Sequence, residues 1–200
     1  MKSGGKQSVF CKAPLWKSFF PLLALLCCGI QGGAAAGVFG GIFKSQHVLP
    51  LVFSGIPFPE AGFFSCFSTL LLNMLIGLLA LFLFGMTAFG MVAVPLFLFV
   101  KGMAIGLGVL SFIIVDGLPG LGRAAFLYAP VTAVFSLLLL LFAGQAMAFS
   151  KRLARAGLTA QEDGQDFHSY LRDFLVCLSF SVMAAFVGAL FSVIYGEIFL

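Results

Sequence analysis

Apolar residues run along this chain in long blocks separated by short polar or glycine- and proline-rich segments. The longest block, Gly62 to Val100, contains no Asp, Glu, Lys, Arg or His. About 20 apolar helical residues cross the hydrocarbon layer of a bilayer, so this run is nearly two crossings long. Gly85, Gly90 and Pro95 in its second half mark a place to fold back. The pattern predicts an all-α, polytopic integral membrane helical bundle of about five transmembrane helices, over residues 19–43, 63–84, 92–115, 126–149 and 174–199. Residues 1–18 are expected to form a basic cytoplasmic N-terminus, and residues 19–200 a single transmembrane domain.

The segments between the blocks read differently from one another. Lys44 to Gly62 holds Pro50, Pro57 and Pro59 and is expected to be a loop. Asp116-Gly117-Leu118-Pro119-Gly120-Leu121-Gly122-Arg123 has the composition of a tight turn. The stretch from Lys151 to Asp173 is polar, and Thr159-Ala160-Gln161-Glu162 matches a capping box that would start a short helical turn. Its acidic Glu162, Asp163, Asp166 and Asp173, beside a basic collar, read as a solvated loop, with partner binding as the sharper reading. Two alternatives accompany this plan. The second half of the long uncharged run also suits a re-entrant hairpin, provided protein covers it. The start of the chain also resembles a signal peptide, with Pro21 to Leu26 as its apolar core and Ala34-Ala35-Ala36 as the small-residue site. An uncleaved helix is preferred because the apolar run continues for a full bilayer thickness.

Charge sets the orientation. Lys2, Lys6, Lys12 and Lys17 precede the first span, and Lys151, Arg152 and Arg155 follow the fourth. Basic clusters stay cytoplasmic, so an even number of crossings must separate the two groups, and four fits. The N-terminus is then cytoplasmic and the C-terminus outside.

Composition agrees with this picture and narrows the chemistry. Hydrophobic residues make up 62% of the chain and charged residues 9%, against about 25% charged in a typical soluble domain. The net charge of +4 comes from residues at span edges rather than a basic stripe, so nucleic acid is not an expected partner, whereas membrane lipid is. The five cysteines, Cys11, Cys27, Cys28, Cys66 and Cys177, include no C-x-x-C pair and mostly sit in apolar runs, where a thiol behaves as a small hydrophobe. His47 and His168 fall on opposite sides of the membrane and cannot share a metal. No H-E-x-x-H, G-x-S-x-G or Walker glycine loop occurs. The chain is therefore expected to be no enzyme and to carry no cofactor.

A few residues stand out from the apolar background. Gly29, Gly33, Gly37 and Gly41 recur every four positions on the first span, which aligns them on one face without side chains. Such a face lets another backbone approach closely. Packing against the chain's own helices is preferred; a docking face for another membrane protein, or self-association, is the sharper reading. Gly102 and Gly106 offer the same close approach on the third span. Lys101 interrupts an apolar run, and a lysine at the bilayer centre costs about 2.5–3.5 kcal/mol even on a lenient scale. It is expected to snorkel to the cytoplasmic face, with a functional polar pocket as the alternative. Asn73 and Gln145 lie inside the second and fourth spans and suit hydrogen bonds between helices. Pro95 and Pro130 are expected to kink or start helices.

From Gly85 to Ser150 the chain resembles the stage II sporulation protein M family. The resemblance is carried by Gly85, Gly90 and Pro95, by Phe99-Val100-Lys101-Gly102 with Gly106, by the glycines at 117, 120 and 122, and by Pro130 with Ala148-Phe149-Ser150. Outside that block only the five-span plan and the basic N-terminus agree. The resemblance implies a multi-pass protein of the mother-cell septal or engulfing membrane, required for engulfment in endospore formation. It implies a non-catalytic scaffold that anchors and localises the peptidoglycan hydrolases of the septum, with stage II sporulation proteins D and P as partners. The alternative from the residues themselves is a transporter or permease subunit with Lys101 lining a polar pathway.

Overall fold

Lipid offers backbone groups no hydrogen-bond partners, so each apolar run must satisfy its own N–H and C=O groups as a helix. The computed structural model describes residues 14–39, 62–159 and 167–199. Helix α1 spans Pro14–Phe39, α2 Gly62–Gly85 and α3 Gly90–Asp116. A short α4, Leu118–Arg123, passes through a π-helical turn, Ala124–Tyr128, into α5, Ala129–Thr159, and α6 spans Phe167–Phe199. Among the described residues, five stretches are long and apolar enough to cross a membrane, with α4, the π turn and most of α5 forming one of them. The protein is a polytopic, all-helical membrane bundle.

The neighbours in this bundle follow from who touches whom. Gly29 of α1 meets Phe99 and Gly102 of α3, Gly33 meets Met103, and Ala34 meets Gly106, so these two helices run parallel. Gly77 and Gly85 of α2 meet Phe135 and Ala146 of α5, also in ascending order. Helix α6 runs against α2: Phe63 packs on Phe186, while Phe82 at the other end stacks on Tyr170. The directions alternate from span to span, as successive crossings require. The third span is one continuous helix, so the re-entrant alternative does not hold.

Leu78 and Leu81 of α2, Val94 and Leu98 of α3, and Leu139 and Phe142 of α5 form the fully buried centre. Side chains such as Leu72, Leu79 and Leu83 on α2 and Phe180, Met183 and Phe191 on α6 point outwards. In water this surface would be an aggregation liability; in a bilayer it is the lipid contact.

Several boundaries differ from expectation. The Asp116–Arg123 segment, expected to be a tight turn throughout, is helical from Leu118 to Arg123. The chain reverses at Gly117 alone, whose φ of +65° is in the range that favours glycine and whose N–H donates to the Ile113 carbonyl at 2.9 Å. Pro119 then falls at the start of α4, where a missing N–H costs a helix nothing. Pro130 lacks the N–H that the Phe126 carbonyl would accept in an α-helix, and the backbone widens into the π turn just before it. Helix α6 starts at Phe167 rather than 174 because Tyr170 turns into the core, against Phe82, Phe142 and Phe149. Pro95 sits inside α3 and Pro21 inside α1 without ending either. The 44–62 loop apart from Gly62, the capping box after Thr159, and the basic residues before Pro14 lie outside the described residues.

Candidate functional site

Asn73 and Lys101 each lie near the middle of their helix, α2 and α3. At about 1.5 Å per residue, Lys101 is about 16 Å from the start of α3 and about 22 Å from its end. Four methylenes do not span either distance, so the lysine does not snorkel. It is 3% exposed, and its Nζ donates to Asn73 Oδ1 at 2.6 Å. The ammonium also lies 5.6 Å from the centre of the Phe135 ring on α5, within cation–π range. The snorkelling expectation assumed a late start to α3; the helix instead begins at Gly90 and places the lysine at mid-depth.

The pair borders a crevice of about 20 Å³ between α2, α3, the π turn and α5. Its polar lining comes from Asn73, Lys101, Tyr128 and Thr132, and its apolar walls include Leu70, Met74 and Phe135. Thr132 Oγ1 donates to the Tyr128 carbonyl at 2.6 Å. That carbonyl belongs to the last residue of the π turn, where the regular ladder changes pitch. π-Helical turns occur often at functional sites, and here one positions Tyr128 beside the buried charge. The sequence reading missed Tyr128 and Thr132. Their spacing of four puts them on one face of a helix, which was the signal available.

The glycines occupy a different seam. A Cβ at Gly29 would strike the Phe99 carbonyl and come within 3.2 Å of Gly102 Cα; one at Gly33 would strike the Met103 backbone. A Cβ at Gly102 would lie 2.5 Å from the Leu26 carbonyl oxygen, and one at Gly106 would strike the Ile30 carbonyl. So α1 and α3 pack backbone to backbone, and Gly29, Gly33, Gly102 and Gly106 face one another rather than an outside partner. Gly32, one residue off the stripe, would meet nothing within 4 Å. Gly37 is buried on the same face, and Gly41 lies outside the described residues. Gln145 is half-buried on α5 and does not line the crevice.

A second polar cluster closes one end of the bundle. The last carbonyls of α2 lack intrahelical partners and are satisfied from neighbouring segments. Tyr170 donates to the Phe82 carbonyl at 3.2 Å, and Thr87 Oγ1 to the Phe84 carbonyl at 2.8 Å. Ser150 Oγ donates to the Thr87 carbonyl at 2.8 Å. Gly85 and Gly90 flank this turn because a Cβ at either would collide, with Tyr170 and Ala146 or with Phe84 and Ser150. Among the described residues, no group of three or more His, Cys, Asp or Glu side chains is placed to hold a metal ion. Comparison of the chain with protein-family models, with curated proteins and with solved structures gives no match.

Proposed function

We propose that this protein is a non-catalytic membrane scaffold of the kind its resemblance to stage II sporulation protein M implies. In this reading it anchors and localises septal peptidoglycan hydrolases, proteins D and P, in the mother-cell membrane during engulfment. The observation that supports the scaffold reading most is how the Lys101-Gly102 block is used. Lys101 binds Asn73 of α2, and Gly102 with Gly106 seats α1. The unusual residues of this block therefore hold three helices in a fixed relation. A bundle fixed in this way offers partners its ends and its lipid-facing surface, while its own seams are filled.

The second reading, a transporter or permease subunit, draws on the same lysine, which sits at mid-depth in a polar-lined crevice. About 20 Å³ holds about one water molecule, so passage of a solute would require the helices to part.

Capture of the tagged, detergent-solubilised protein from sporulating cells of its source tests the scaffold. The expected result is co-purification of a wall hydrolase, with engulfment arrested in a deletion strain. Normal engulfment together with capture free of any hydrolase would refute it. Solute flux that is lost in Lys101→Met while hydrolase capture persists would establish the second reading instead.

A further inference from the structure

Helix α1 buries Gly29 and Gly33 against α3. Gln31 lies between them in sequence and, at about 100° per residue, on the opposite side of the helix. It is exposed, and none of the described residues hydrogen-bonds its amide. The first span runs from Phe19 to Phe39, which places Gln31 about 18 Å from one end and about 12 Å from the other. A glutamine side chain reaches neither end, and lipid offers its amide no hydrogen-bond partner. The residues on its face form a seam. Ala24, Cys28, Gln31, Ala35 and Val38 recur at alternating spacings of four and three, and all five are exposed. That spacing is the contact line of a left-handed helix pair, and the short side chains of Ala24, Cys28 and Ala35 let a second backbone come close.

We propose that a second copy of this chain docks on this face, α1 against α1, with the two Gln31 amides hydrogen-bonded to each other. A carboxamide both donates and accepts, so it is its own complement, and the seam carries no charge that would select a different partner. Copies inserted in the same direction present parallel α1 helices. A two-fold axis along the membrane normal then sets each seam residue opposite its own counterpart, Gln31 on Gln31 and Cys28 on Cys28. The contact with α3 is untouched, because it uses the other side of α1. The pairing is independent of whether the protein serves as a scaffold.

Energy transfer between donor- and acceptor-tagged copies of the full chain in liposomes tests the proposal. Transfer should rise with protein density. Gln31→Leu, which changes a side chain outside the core, should weaken association by about 5–30-fold, and Gln31→Asn, which keeps the amide, should retain most of it. Transfer no greater than random mixing gives, or unchanged in Gln31→Leu, would overturn the proposal. Copper phenanthroline applied to native membranes identifies the occupant. It should link Cys28 to Cys28 in a product of twice the chain's mass, lost in Cys28→Ser and kept in Cys177→Ser. A Cys28-linked product of any other mass would overturn the proposal, since a different membrane protein would then hold the face.

Discussion

Gly32 and Gly33 are adjacent on α1, yet an added methyl group should have opposite effects at the two positions. In a helix interior, glycine is less favourable than alanine by about 0.5–1 kcal/mol, through backbone entropy. At Gly32 a Cβ meets nothing within 4 Å, so Gly32→Ala should realise that gain. At Gly33 the same Cβ would come within 2.7 Å of Met103 Cα and 2.8 Å of its carbonyl carbon, where ordinary contact is 3.4–4 Å. These are backbone atoms of α3, with no rotamer to yield. The two helices must therefore separate by about 1 Å, and the neighbouring contacts at Gly29, Gly102 and Gly106 loosen together. Overpacking of this kind costs about 1–3 kcal/mol, so Gly33→Ala should lose about 1–2 kcal/mol net. The two variants should differ by about 1.5–3 kcal/mol, or about 3–12 °C in midpoint for a chain of this size. Unfolding in mixed detergent micelles, followed by circular dichroism, measures both. Equal midpoints for the two variants would refute the backbone-to-backbone seam, and Gly33→Leu should then leave the fold intact as well.

Two further predictions concern the polar groups. Asn73→Leu removes the amide acceptor of the Lys101 ammonium and should cost about 1–3 kcal/mol, while the Asn73→Leu/Lys101→Met double variant should recover most of that loss because a buried polar pair replaced by apolar residues is often neutral; a double-variant cycle in the same micelles reads the difference. Tyr170→Phe removes a hydrogen bond to the last turn of α2 and Ser150→Ala one to the turn that joins α2 to α3; each should cost about 0.5–1.5 kcal/mol, seen as amide exchange faster by about 2–10-fold at Met86 for the first and at Gly90 for the second, with little change at the centre of α5.

The five crossings were legible in the sequence because lipid permits so few alternatives: an apolar run of the right length must be a helix. Their limits were less legible where a local cue was ambiguous. The glycines and proline of residues 116–123 signal a turn, yet Pro119 is equally at home in the first turn of α4, and Gly117 suffices to reverse the chain. Around Tyr170 the polar residues His168, Arg172 and Asp173 suggested a loop, and only the aromatic stack with Phe82, Phe142 and Phe149 explains why helix begins at Phe167. The glycine ladder announced close packing, since spacing fixes a face, but spacing does not name the neighbour. That neighbour proved to be α3, with Gly102 and Gly106 opposite. Lys101 was conspicuous, and its fate was misjudged because depth depends on where α3 starts. The crevice needed the structure, because Asn73, Lys101 and Tyr128 come from three separate segments whose meeting no local pattern encodes.

The parallel contact between α1 and α3 also constrains biogenesis. Gly29 and its counterpart Gly102 are about 70 residues apart in the chain, and a ribosome adding about 5–20 residues per second leaves an interval of roughly 4–15 s between them. Throughout that interval the first helix must wait in the bilayer with its bare glycine face turned to acyl chains or to the insertion machinery. The bundle thus closes around α1 only after two later helices have emerged, so a nascent chain halted before α3 would retain an open, adhesive flank.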